Sequence, residues 1–63
     1  MRPEIMRWFA YGHLPEAVQK ISEPFATLAE AILELPDTAE RSACLRKLLE
    51  AKDCAVRAFL TVT

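Results

Sequence analysis

Trp8, Tyr11 and His13 stand together near the start of the chain, with Arg2 and Arg7 beside them. Flat rings with a polar edge accept stacked nucleobases for roughly 1–3 kcal/mol each, while neighbouring cations hold phosphates. The chemistry on offer is therefore recognition of a planar, anionic ligand. Tyr11 is the ring best placed for it, because Gly12 follows and permits a sharp backbone turn. Trp8 fits a ligand contact or an apolar contact equally well, and Phe9 reads as packing. This aromatic lead-in is expected to be mobile, being too short to pack alone.

Catalysis is a poor fit to the same residues. His13 is the only histidine, and no serine or cysteine stands near it in sequence as an obvious nucleophile. Little chain is left outside the helices for an oxyanion hole or a lid. Cys44 and Cys54 form no CxxC or His-Cys cluster, so neither a metal site nor a cofactor is expected. Ten residues apart in one helix, they would lie about 15 Å from each other along its axis. That exceeds the roughly 7 Å limit for a disulfide. Both read as small, buried or half-buried thiols of a reducing cytoplasm.

Two helices must position the lead-in. Leu14-Pro15-Glu16 opens the first, predicted over 14–35, with Val18, Ile21, Phe25, Leu28, Ile32 and Leu35 as an a/d seam. Pro24 inside it removes one backbone bond and predicts a kink near Lys20–Glu23. Glu16, Gln19, Glu23, Glu30 and Glu34 read as its solvated face. Pro36 stops this helix, and Asp37 or Thr38 caps the second, predicted over 38–60. An Asp37 cap would place Glu40 as the partner in a capping box. Residues 1–13 remain as an N-terminal segment of one domain spanning 1–63.

The second helix carries two apolar stripes. One is Cys44, Leu48, Ala51, Ala55 and Phe59; the other is Leu45, Leu49, Val56 and Leu60. One antiparallel neighbour covers only one of them. An isolated hairpin would expose too large an apolar patch, so a homo-oligomer is expected. Lys52 lies within this apolar arc, either snorkelling along its neighbours or facing an anion at a subunit junction. Arg46–Glu50 and Asp53–Arg57 are spaced as i,i+4 ion pairs.

The formal net charge is −1, but it is unevenly spread. Residues 1–13 carry two Arg and one Glu, residues 14–40 one Lys against six acids, and residues 41–63 five cations against two acids. This balance argues against a DNA-coating protein yet leaves basic patches suited to a small anion. No apolar run approaches the roughly 20 residues of a membrane span, and no signal-peptide h-region follows Met1.

The run Tyr11-Gly-His-Leu-Pro-Glu, then Glu40-Arg41, then Leu45-Arg-Lys-Leu-Leu-Glu-Ala-Lys-Asp-Cys-Ala-Val-Arg-Ala58 resembles the phage anti-CBASS protein 2 sponges. Their helical hairpin is shared with the Thoeris anti-defence 1 sponges. The likeness covers about residues 8–60 and is most specific over the second-helix run Lys47–Ala58. It implies an all-α, antiparallel two-helix hairpin assembled as a compact homo-hexamer in the host cytoplasm. It also implies a non-enzymatic function: sequestering the cyclic di- and trinucleotide signals of CBASS immunity, in two kinds of pocket. Tyr11 matches the family's base-stacking tyrosine and Arg57 an arginine able to meet phosphates at a subunit junction. Lys20 is the one lysine available for the first-helix role, and Trp8, His13 and Lys52 complete the candidate ligand set. The chain departs from the family in a shorter connection between helices, a more acidic first helix and Pro24. The other class of function open to the sequence is a helical adaptor that binds a protein through the apolar face of its second helix.

Overall fold

The computed structural model describes residues 2–61, all of whose regular structure is helical. A 3₁₀ helix, Glu4–Phe9, is followed by α1, Glu16–Ile32, and α2, Ala39–Thr61. The connection of residues 33–38 is short and the two long helices pack together, so they run antiparallel. The hairpin expected from the sequence is the observed fold. The lead-in, expected to be too short to pack alone, folds as the 3₁₀ helix and lies against both long helices.

The lead-in's own sequence explains this docking. With three residues per turn, a 3₁₀ helix stacks positions i and i+3 on one face. Met6 and Phe9 are so spaced, and are 5% and 2% exposed. Burying two such side chains contributes about 1.5–3 kcal/mol each and favours docking of this six-residue helix, longer than its type usually runs. They join Ala29, Ile32 and Leu45 in the core, with Ile5, Phe25, Ala26, Leu33, Leu48 and Leu49 packed around it.

Helix α1 starts two residues later than the sequence pattern suggests, because Pro15 is extended (φ −55°, ψ 150°). Its carbonyl accepts the Gln19 N–H at 2.9 Å. The Gln19 side chain reaches back to donate to Leu14 O at 2.7 Å and Gly12 O at 3.4 Å. The helix continues through Pro24, which leaves the Lys20 carbonyl without its usual backbone donor. The core-facing row is Ser22, Ala29 and Ile32, not the whole predicted seam. Leu28 is 50% exposed and Leu35, beyond the helix end, 54%. Small residues at Ala26 and Ala29 leave room for Met6 and Phe9, and this turns the buried face away from Leu28.

Arg41 joins the two long helices. Its Nη1 donates to Leu33 O at 3.1 Å and Leu35 O at 3.2 Å, and its Nη2 lies 3.1 Å from Asp37 Oδ1. A residue in the first turn of α2 thereby satisfies carbonyls left over at the end of α1. Thr38 caps α2, its Oγ1 accepting the Arg41 N–H at 3.2 Å. Arg41 rather than Glu40 occupies the third helical position, so the expected capping box does not form.

On α2 most of the second predicted stripe turns inward, led by Leu45 at 1% exposure, with Leu49 and Val56 partly buried and Leu60, at the helix end, exposed. The first stripe is divided: Leu48 packs on the core, whereas Cys44, Ala51 and Phe59 are exposed. Both cysteines are free and exposed rather than buried or half-buried as expected; the face of α2 that meets the core is the one carrying Leu45, Leu48 and Leu49. The total accessible surface is 4622 Å², against about 4,100 Å² for a compact 7.1 kDa monomer. No helix among the described residues is long and apolar enough to cross a membrane.

Candidate functional site

A groove of about 410 Å³ separates the N-terminal strap, residues 2–12, from α1. The strap lines it with Arg2, Met6, Phe9, Ala10, Tyr11 and Gly12, and α1 with Ala26, Thr27 and Glu30. Tyr11 is half-buried at the start of a turn in which Leu14 N–H donates to Tyr11 O at 3.0 Å. Gly12 makes this turn without a positive φ, and a Cβ there would meet nothing within 4 Å. The conformational freedom assigned to Gly12 from sequence is not used.

Two polar tethers hold the strap to α1. The Tyr11 hydroxyl donates to Glu23 Oε2 at 3.1 Å. Arg2 grips Glu30 with both terminal nitrogens, Nη1 to Oε1 at 3.0 Å and Nη2 to Oε2. Glu23 and Glu30 are seven residues apart, two helical turns, so they share one face of α1 beneath the strap. The tethers perturb the groups that make them. Hydrogen bonding to Glu23, and the charge of that carboxylate, push the Tyr11 phenol above its usual range. The hydrogen bond from Arg2, helped by its charge, holds the Glu30 carboxyl below the ordinary range against the opposing effect of desolvation.

A third tether runs to α2. Lys52 Nζ donates to Trp8 O at 2.8 Å, and its side chain is 13% exposed. The ammonium therefore satisfies a carbonyl at the end of the 3₁₀ helix, with Asp53 Oδ1 3.5 Å away. This is a positioning role, and it accounts for a cation inside an apolar arc. The Trp8 ring, in contrast, is 59% exposed, with the Arg7 guanidinium 5.3 Å from its centroid in a cation–π contact. Arg7 also pairs with Glu4 at 3.2 Å.

The remaining candidates are dispersed. Of the six residues singled out from sequence, only Tyr11 lines the groove. His13 lies in the exposed turn after Tyr11, and Lys20 is exposed on α1. Arg57 is exposed near the end of α2, where its Nη2 lies 3.4 Å from Cys54 Sγ. Neither Asp53–Arg57 nor Arg46–Glu50 pairs among the described residues; Asp53 faces Lys52 instead. Arg2 joins Tyr11 in the groove although the sequence reading gave it only a flanking role. A heptad spacing of Glu23 and Glu30 opposite two strap residues was the available signal.

No protein-family model, curated protein or solved structure matches this chain. What the geometry defines is an all-helical hairpin with a strapped N-terminal segment and one aromatic-edged groove.

Proposed function

We propose that this protein is a sponge for cyclic oligonucleotides of CBASS-type immunity, binding cyclic di- or trinucleotides in the host cytoplasm without cleaving them. The observation that carries the reading is the groove beside Tyr11. It combines the Tyr11 ring, the apolar Met6, Phe9 and Ala26 side chains and the Arg2 guanidinium around a space of about 410 Å³, within the range of small-molecule sites. A base stacks on Tyr11, and a phosphate is met by a cation.

Assembly as a homo-hexamer belongs to the same proposal. It is supported by Leu28, Leu35, Phe59 and Leu60, all at least 36% exposed, and by a surface larger than a compact monomer of this mass presents. Arg57, exposed near the end of α2, is then the residue that meets phosphate at a subunit junction, and Lys20, His13 and Trp8 are accessory contacts. Exposure of Ala51 and Phe59 on α2 also supports one second reading, a helical adaptor that binds a protein partner through the apolar face of that helix.

Thermal unfolding with a panel of cyclic di- and trinucleotides separates the two. A ligand at 100 times its Kd adds about 2.7 kcal/mol, a shift of about 10 °C or more for a domain this small. No shift with any cyclic nucleotide would leave the adaptor reading in its place.

A further inference from the structure

Of the residues lining the groove, Arg2 is the single cation, and its guanidinium is already occupied by Glu30. A guanidinium fork binds a carboxylate and a phosphate with the same two-pronged geometry. Glu30 therefore stands where the phosphate of a groove ligand would stand. Its hold is weak in the way surface ion pairs are weak: the two side chains are 61% and 51% exposed, and solvent screens them. The other nearby cation, Arg7, pairs with Glu4 and stacks on Trp8 outside the groove.

We infer that Glu30 is a built-in competitor for Arg2, and that a phosphate-bearing ligand enters the groove by displacing the Glu30 carboxylate from the Arg2 fork. The inference deepens the reading of the Tyr11 groove as an anion site and rests on it. Arg2 then sets affinity, and Glu30 sets the threshold a ligand must exceed, so weakly charged ligands are rejected. The charged and titratable groups facing Arg2 and Tyr11 are Glu30 and Glu23 of α1; α2 contributes no residue to the groove wall.

The test uses pyrophosphate as the probe and amide spectra of the full chain as the readout. Gly12, the only glycine, reports from the groove, and the indole of Trp8, the only tryptophan, reports from outside it. In Glu30→Gln the Gly12 resonance should saturate at about three- to fivefold lower pyrophosphate than in the parent, the scale of one exposed ion pair. Arg2→Gln should lose the Gly12 response, alone and combined with Glu30→Gln, while the Trp8 indole stays still throughout. Glu30→Asp, which keeps the charge but shortens the reach, guards against a strap that undocks in the Gln variant. It should fall between parent and Glu30→Gln.

Equal pyrophosphate affinity in parent, Glu30→Gln and Glu30→Asp would overturn the inference, as would an undiminished Gly12 response in Arg2→Gln. Cyclic nucleotides still binding the parent in that event would leave the sponge reading standing. Tight pyrophosphate binding by Glu30→Gln, with no cyclic nucleotide bound by any variant, would sink the sponge reading alone.

Discussion

The Lys52 ammonium lies 2.8 Å from the carbonyl oxygen of Trp8, joining positions 44 residues apart in sequence. It ties the end of the 3₁₀ helix to the middle of α2. The Arg2 and Tyr11 contacts tie the same strap to α1. Replacing Lys52 by Met keeps the aliphatic packing and removes the donor. The Lys52→Met variant should lose about 1.5–3 kcal/mol in urea unfolding, the range for a hydrogen bond to a charged group. Its Trp8 fluorescence should change before the hairpin unfolds.

Stability should also depend on pH at both ends of the scale. Glu30 has a lower pKa folded than unfolded, so its contribution is present above about pH 4.3 and is lost as pH falls through the folded value. Tyr11 has a raised folded pKa, so its contribution is full below about pH 10 and is lost as pH rises through the folded value. Unfolding midpoints measured from pH 2 to 11 should show both limbs. Glu30→Gln should flatten the acid limb and Tyr11→Phe the alkaline one.

Tyr11 and Arg57 are assigned different chemistry. Tyr11→Ala should cost roughly 1–3 kcal/mol of affinity for a stacked ligand with little change in salt dependence. Tyr11→Phe should cost less, since the ring remains. Arg57→Ala should weaken binding and also flatten its dependence on ionic strength. Titration calorimetry at two salt concentrations distinguishes the two. If there are two pockets, the variants lose different ligands: cyclic dinucleotides for Tyr11→Ala, trinucleotides for Arg57→Ala.

Assembly is probed best at side chains the folded hairpin does not need. Leu48 packs on the core, so a charge there would unfold the chain as well as any oligomer. Leu28 and Phe59 are exposed, and Leu28→Glu or Phe59→Glu should leave helicity intact. Light scattering should give about six times 7.1 kDa for the parent and a smaller mass for these variants. A parent that is a folded monomer would refute the hexamer.

The hairpin was legible because heptad spacing announces two helices and Pro36 a break between them, both local signals; α1 nevertheless ends at Ile32, ahead of Pro36, and only part of the predicted seam is buried. The strap was not legible, because a three-residue period in Met6 and Phe9 is too short to stand out from chance. Which apolar row of α1 is buried also escaped the pattern: Ala26 and Ala29 win by being small, which periodicity does not weigh. Lys52 looked equally like a ligand contact and a snorkelling side chain until Trp8 O supplied its partner. The ring of Tyr11 and its neighbours single it out in the sequence, and it lines the groove. Arg2 was undervalued because its partner Glu30 is 28 residues away and belonged to a face read as solvated.

Depletion and recovery of ligand test the central claim most directly. The protein is mixed with a slight molar deficit of a cyclic dinucleotide or trinucleotide and filtered, and the free nucleotide is measured. The retained nucleotide is then released by heat and examined by chromatography. The account predicts that at least one cyclic nucleotide is withdrawn from solution in proportion to protein and returns intact. Failure of the protein to retain any cyclic nucleotide, or return of linear nucleotide in molar excess over protein, would contradict it.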